Sequence, residues 1–458
     1  MLVIISDLHL TDGTSGSTIK EQAFRVFRER VRDMAYDASW RADGKYRPID
    51  SFDIVLLGDI LDVIRSTTWL DGGKNQVRPW TSTKSTAFRK KIDDITDAIL
   101  QTNKKSLDIL KSLTDPQQVT LPQPTAAGKP AEVGREPGAA GRLPVEVRIH
   151  YLVGNHDWFY HLPGAAFNPI RRKIAKAMGL ANPPTEPFPH DPDESGVITR
   201  LYGEHEVFAR HGDIYDPFNY EGDRDASSLG DAIVVNLLNR FPQQVESQLG
   251  RILPKECLDG LKEIDNVRPL PIVPVWVNGL LQRTCPTRDQ MKKVKDVWDE
   301  LVDDFLKVPF VRERDSWSPA DNVDRLELAL KFSKGLSLSS ASRLMTWTTE
   351  KFGGGDEPFY KHALRERDFK NRRARCIVYG HTHSPEVVPL DTSLGSGGLL
   401  QQMYFNSGTW RRVYEVTKLD PKEEEFIGYN VMTYLGFFKN DERGGRPFES
   451  WQGSLAVD

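Results

Sequence analysis

Cysteine is scarce in this sequence. Its 458 residues hold three, Cys257, Cys285 and Cys376, far apart and at no zinc-ligand spacing. No disulfide framework is expected, and a reducing, cytoplasmic compartment fits best. Long apolar runs are missing too. None reaches the ~18 residues that span a bilayer, so no transmembrane segment is expected. A strand pattern from residue 2 leaves no room for a signal peptide. Charge of one sign is not in excess. The net charge is −4 and the pI about 6.3, which gives no global pull toward nucleic acid or anionic lipid. The remainder, 39% hydrophobic and 28% charged residues, is the composition of a globular protein. Its length suggests two or three domains.

Several short apolar runs read as buried strands. Val3-Ile4-Ile5 is β-branched, and "FDIVLLGD" (52–59) carries the apolar run Ile54 to Leu57. "VEVRIHYLVGNHD" (145–157) and "EVFARHGD" (206–213) follow the same pattern, as do "RCIVYGHTH" (375–383), "MYFNSGTWRRVYEV" (403–416) and "EEFIGYNVMTYL" (424–435). Residues 18–36 carry apolar positions at helical spacing, and a long helix is expected over 86–113. Segment 114–144 holds six prolines and four glycines. It reads as a flexible Pro/Gly-rich excursion. The strand pattern stops at 214–373, a helical insertion or cap. It includes "SSLGDAIVVNLLNRF" with an N-cap serine, "DQMKKVKDVWDELVDDFL", and helices at 320–333 and 338–351. The core is then discontinuous, 1–213 and 374–438, with a polar tail at 439–458 expected to trail over the surface.

Five of these strands end in polar clusters: Asp7 and His9, Gly58-Asp59, Gly154-Asn155-His156-Asp157, His211, and Gly380-His381-Thr382-His383. In α/β folds, ligands collect beyond the carboxyl ends of strands. Each cluster alone reads equally well as a turn or a hydrogen-bonded strand end. Together, two Asp, one Asn and four His could ligate two cations. Oxygen and imidazole donors without thiolate suit Mn, Fe, Zn, Ni or Co. The glycines let the backbone turn sharply beside the ligands.

In these blocks, D-x-H, G-D, G-N-H-D, H and G-H-x-H in that order, the sequence resembles the calcineurin-like metallophosphoesterase family. The resemblance covers roughly 1–65, 145–213 and 374–435. It implies an α/β fold of two mixed β-sheets packed as a sandwich and flanked by helices. Carried over by motif, one metal would be held by Asp7, His9, Asp59 and His383. The other would be held by Asp59, Asn155, His211 and His381, with Asp59 bridging. The fourth block reads "HGD" rather than Gly-His, and His205 is the nearest substitute for His211. The implied cofactors are two divalent ions, Mn first. The implied activity is hydrolysis of a phosphodiester, pyrophosphate or phosphomonoester by a metal-bridged hydroxide, with no Ser or Cys nucleophile. His156 would stabilise the transition state or protonate the leaving group, and Asp157 would orient it.

"SDLHL" and "GHTHSP" are similar to the pyrophosphohydrolases acting on UDP-diacylglucosamine, which implies a phosphorylated small-molecule or lipid-linked substrate. "GDILD" and "GNHD" also resemble the recombination-repair nucleases, so DNA or RNA is the alternative substrate. An inactive scaffold on the same fold is the third reading. Arg171 and Arg172 read either as phosphate contacts or as an exposed helix face. The aromatics of "WFYHLPG" (158–164) read as site border or as core. The basic run 365–375 reads as a solvated face or a phosphate-binding patch.

Overall fold

The computed structural model describes residues 1–73, 76–134, 136, 138–267, 273–315, 322–335, 357–395, 398–420 and 423–455. Its strands, in chain order, are β1 (Leu2–Ile5), β2 (Ser51–Leu57), β3 (Thr120–Pro122), β4 (Arg142–Pro144), β5 (Glu146–Leu152) and β6 (Val207–Ala209), then β7 (Cys376–Tyr379), β8 (Glu386–Gly395), β9 (Gly398–Asn406), β10 (Arg412–Asp420), β11 (Glu423–Phe437) and β12 (Phe448–Leu455). One mixed sheet runs β10-β11-β1-β2-β5, with β12 on the outer edge of β11. A second runs β6-β7-β9-β8. Within them β1, β2 and β5 are mutually parallel, and so are β6, β7 and β9. One layer of buried side chains joins Leu2, Ile4 and Val55 of the first sheet to Val207, Val378 and Phe405 of the second. No barrel is formed among the described residues.

The other face of the first sheet is covered by α1 (Glu21–Ala38), α2 (Thr86–Thr102), α3 (Lys104–Ser112) and α4 (Asn168–Met178); α5 (Gly196–His205) packs in the layer between the sheets. The single helix expected over 86–113 is two. Asn103 interrupts it, its amide donating to Ile99 O of the preceding turn and to Thr11 O. Such local bonding competes with helix continuation.

Segment 114–144, expected as a flexible excursion, carries the antiparallel pair β3–β4, anchored by Val145 N to Val119 O. The strand expected across 403–416 is also interrupted. β9 ends at Asn406 and β10 of the other sheet starts at Arg412. Gly408 turns there with φ +65°, and Thr409 Oγ1 donates to Asp7 O at 2.7 Å. The expected surface tail is in fact β12. It pairs with β11 along its whole length, and Trp451 stacks on Tyr434 with ring centroids 5.4 Å apart.

After a non-helical stretch at 216–228 the insertion carries helices, among them α6 (Leu229–Ile233), α7 (Arg240–Leu249), α8 (Lys255–Leu261), α9 (Val273–Thr284), α10 (Arg288–Phe305), α11 (Pro309–Arg312) and α12 (Asn322–Gly335). The helix expected at 338–351 lies outside the described residues. Ser228 caps α6 in a reciprocal capping box with Asp231. A π-helical stretch, Val234–Asn239, links α6 to α7 and lets Asn239 donate to Ile64 O at 2.9 Å. Buried residues of these helices belong to the same apolar cluster as α1–α4. No helix among the described residues is long and apolar enough to cross a membrane.

Candidate metal centre

The five polar clusters follow the carboxyl ends of β1, β2, β5, β6 and β7, all of them parallel strands. The β1–β2 pairing extends past the strands, through Asp7 N to Gly58 O at 3.1 Å and His9 N to Asp59 O at 2.8 Å. This fixes the first two clusters side by side. Because the two sheets share a core layer, the loops of both converge at one place.

Two groups of three donors drawn wholly from the expected metal ligands result, each with its ligand atoms within 4.8 Å of one another: Asp7, His9 and His383, and Asp59, His211 and His381. Asp59 links them. Its Oδ2 lies 3.6 Å from His9 Nε2 and 3.2 Å from His211 Nε2. Asn155 Oδ1 faces His211 Nε2 at 3.2 Å and His381 Nδ1 at 3.0 Å, and so joins the second group. Every expected ligand is thus brought into the cluster. His205 is not. It lies buried at the end of α5, bonded to Leu201 O at 2.9 Å.

The donor chemistry fits divalent cations. His211 Nδ1 faces Leu57 O at 2.9 Å. A carbonyl only accepts, so Nδ1 carries a hydrogen and Nε2 is the nitrogen turned to the centre. His9 Nδ1 faces Asp62 Oδ2 at 2.8 Å, and His381 Nε2 faces Asp216 Oδ2 at 2.9 Å. Each frees the opposite ring nitrogen, the usual outer arrangement of ligating imidazoles. His9 Nε2 and His383 Nε2 stand only 2.8 Å apart.

Electrostatics agree. Burial opposes ionisation of Asp7, but His211, His383 and His9 outweigh it and hold its carboxyl well below the usual range. Burial likewise disfavours the charged His211, yet Asp59 and Asp7 raise it to about 10. Buried carboxylates therefore stay anionic here and draw in positive charge.

The backbone is strained at the same residues. Asp7, His9, Asp59, His381 and His383 all have positive φ, between 44° and 68°. Each such residue costs about 1–2 kcal/mol, and such strain concentrates where function over-determines geometry. The neighbouring glycines allow the close approach. A Cβ on Gly58 would lie 2.5 Å from His211 Nδ1, and one on Gly380 would lie 2.6 Å from Asp7 Oδ2.

His156 borders both groups. Its backbone N–H donates to Asp59 Oδ1 at 2.8 Å, and its Nδ1 meets Asp62 Oδ1 at 2.8 Å. Asp157, expected to orient His156, does not touch it. It is buried and accepts from Ile60 N, Gly154 N and Tyr151 Oη. It therefore ties the β2 and β5 loops together. Asp62 takes the orienting role, holding His9 through one oxygen and His156 through the other.

Asp62, Asp216 and Asn219 are additions to the expected set. Asp62 stands three residues after Asp59 in "GDILD". Asp216 and Asn219 lie in the segment after His211, where only proximity to "HGD" marks them. Arg171 is buried and donates to the carbonyls of Tyr160, Leu162 and Gly164, so it holds a turn and faces no ligand. Trp158, Phe159 and Tyr160 are buried, Phe159 against Trp69.

Neither a scan of known family models nor a search of curated proteins finds a match to this chain.

Proposed function

We propose that the protein is a two-metal phosphoesterase of the calcineurin-like kind, cleaving a phosphodiester, pyrophosphate or phosphomonoester. One observation carries the reading: a single carboxylate oxygen, Asp59 Oδ2, stands between two three-donor groups. The shared layer between two mixed sheets is consistent with the sandwich that the motif order implies.

Asp7, His9, Asp59 and His383 would hold one divalent ion, and Asp59, Asn155, His211 and His381 the other. When bound, such a pair polarises phosphoryl oxygens and generates a nucleophile from water at neutral pH. The chain's own residues do the rest. Asp62 fixes the His156 ring. Burial favours the neutral ring, but Asp62 and Asp59 outweigh it and raise His156 to about 9. His156 so held can donate a proton to the departing oxygen. Asp216 and Asn219 hold His381 and Asn155 from the outside.

The test is hydrolysis of an aryl phosphodiester with and without Mn²⁺, for wild type beside Asp59→Asn. Metal-dependent turnover that the substitution abolishes is the expected result. No turnover in either protein, with no metal retained, would refute the reading. Turnover-free protein holding two metals would point to a substrate gate in the insertion.

A further inference from the structure

A second histidine–carboxylate cluster lies outside this centre. His161, His190 and Asp225 present ligand atoms within 4.8 Å of one another. They come from three separate segments: the turn after His156, the stretch before α5, and the 213–228 segment that opens the insertion. Asp225 Oδ1 faces both rings, 2.7 Å from His161 Nδ1 and 3.3 Å from His190 Nε2. The rings are 4.2 Å apart by centroid.

We infer that His161, His190 and Asp225 form an additional cation site, of the zinc class, that braces the 213–228 segment against the core. Two imidazoles with a carboxylate are a zinc donor set, and water completes four positions. Glu194 Oε2 meets the other nitrogen of His161 at 3.3 Å. It also accepts from His190 N at 2.8 Å, so it is fixed in place as the outer carboxylate that orients a ligating imidazole.

His190 is buried and turns Nε2 to Asp225, while Nδ1 on the far side of its ring has no hydrogen-bond partner. Asp225 and Glu194 remain partly exposed, with relative accessibilities of 30% and 39%, which leaves a path from solvent. The segment so braced carries Asp216 and Asn219, which touch His381 and Asn155. The cation would thus secure the cover of the first centre without belonging to it.

The test uses full-length Asp7→Asn/Asp59→Asn, stripped with chelator, dialysed against Zn²⁺ and analysed for metal. This count does not depend on whether the first centre is catalytic. The expected result is bound zinc that falls by one equivalent per chain when His161→Ala and Asp225→Asn are added. Zinc unchanged by these additions, or no zinc before them, would overturn the inference. Co²⁺ in the starting variant guards against misfolding of the fourfold one. Intense tetrahedral d–d bands support the site, and weak octahedral absorption alone overturns it.

Discussion

His205 and His211 stand close in sequence, but burial puts them to opposite uses. His211 lies among carboxylates and is raised to about 10; His205 is lowered to about 4 by burial and by the nearby chain amino terminus. Replacing His211 with Ala should cost a metal, while His205→Gln should keep the full complement, as metal analysis will show. His205 also sets a pH dependence. Its folded pKa lies below the ordinary 6.5, so the unfolded chain binds its proton first. Stability is complete above pH ~6.5 and is lost as pH falls toward ~4, by about 3 kcal/mol at most. Urea midpoints at pH 7 and pH 4.5 should fall further for wild type than for His205→Gln. Asp62 works through two rings at once. Asp62→Asn should weaken metal retention by roughly 10–100-fold, measured by competition with a chelator. Gly58→Ala should be worse, because the new methyl meets the His211 ring in a left-handed backbone.

At the scale of elements, β12 shows how pairing overrides hydropathy. "FESWQGSL" has no apolar alternation, and among its described side chains only Phe448 and Trp451 pack on an apolar cluster. Its strand state comes from β11, a 15-residue strand with an outer edge to cover. Truncation before Phe448 should leave that edge unpaired, and light scattering should then detect association. Trp451→Ala keeps the backbone ladder and loses the stack on Tyr434. It should cost about 1–2 kcal/mol, read from a denaturant midpoint. The π-helical stretch is the same lesson inside a helix. "SSLGDAIVVNLLNRF" reads as one amphipathic helix with a serine cap, and the cap is where expected. The register shift that turns Asn239 to Ile64 O answers to the loop beyond β2.

For the whole molecule, the candidate centre joins loops from two sheets, so bound metal should stabilise the fold globally. Saturation at ~100 times the dissociation constant contributes about 2.7 kcal/mol per site. Chelation should therefore lower the thermal midpoint of wild type by a few degrees, and that of Asp59→Asn by less, as calorimetry will show.

The sequence by itself determined the five strand ends and the residues waiting there. A β-branched run that stops at Gly-Asp or Asn-His is a local pattern, and hydropathy and turn chemistry act locally. It also determined the cap at Ser228 and the faces of α1 and α10, whose apolar spacing is helical. Only the tertiary structure decided partners. His156 meets Asp62 and not the adjacent Asp157, because parallel pairing of β2 with β5 lays one loop across the other. Asp216 reaches His381, and Asp225 reaches His161, across large separations in the chain. Such contacts depend on register between distant strands, on which neighbouring residues carry no information.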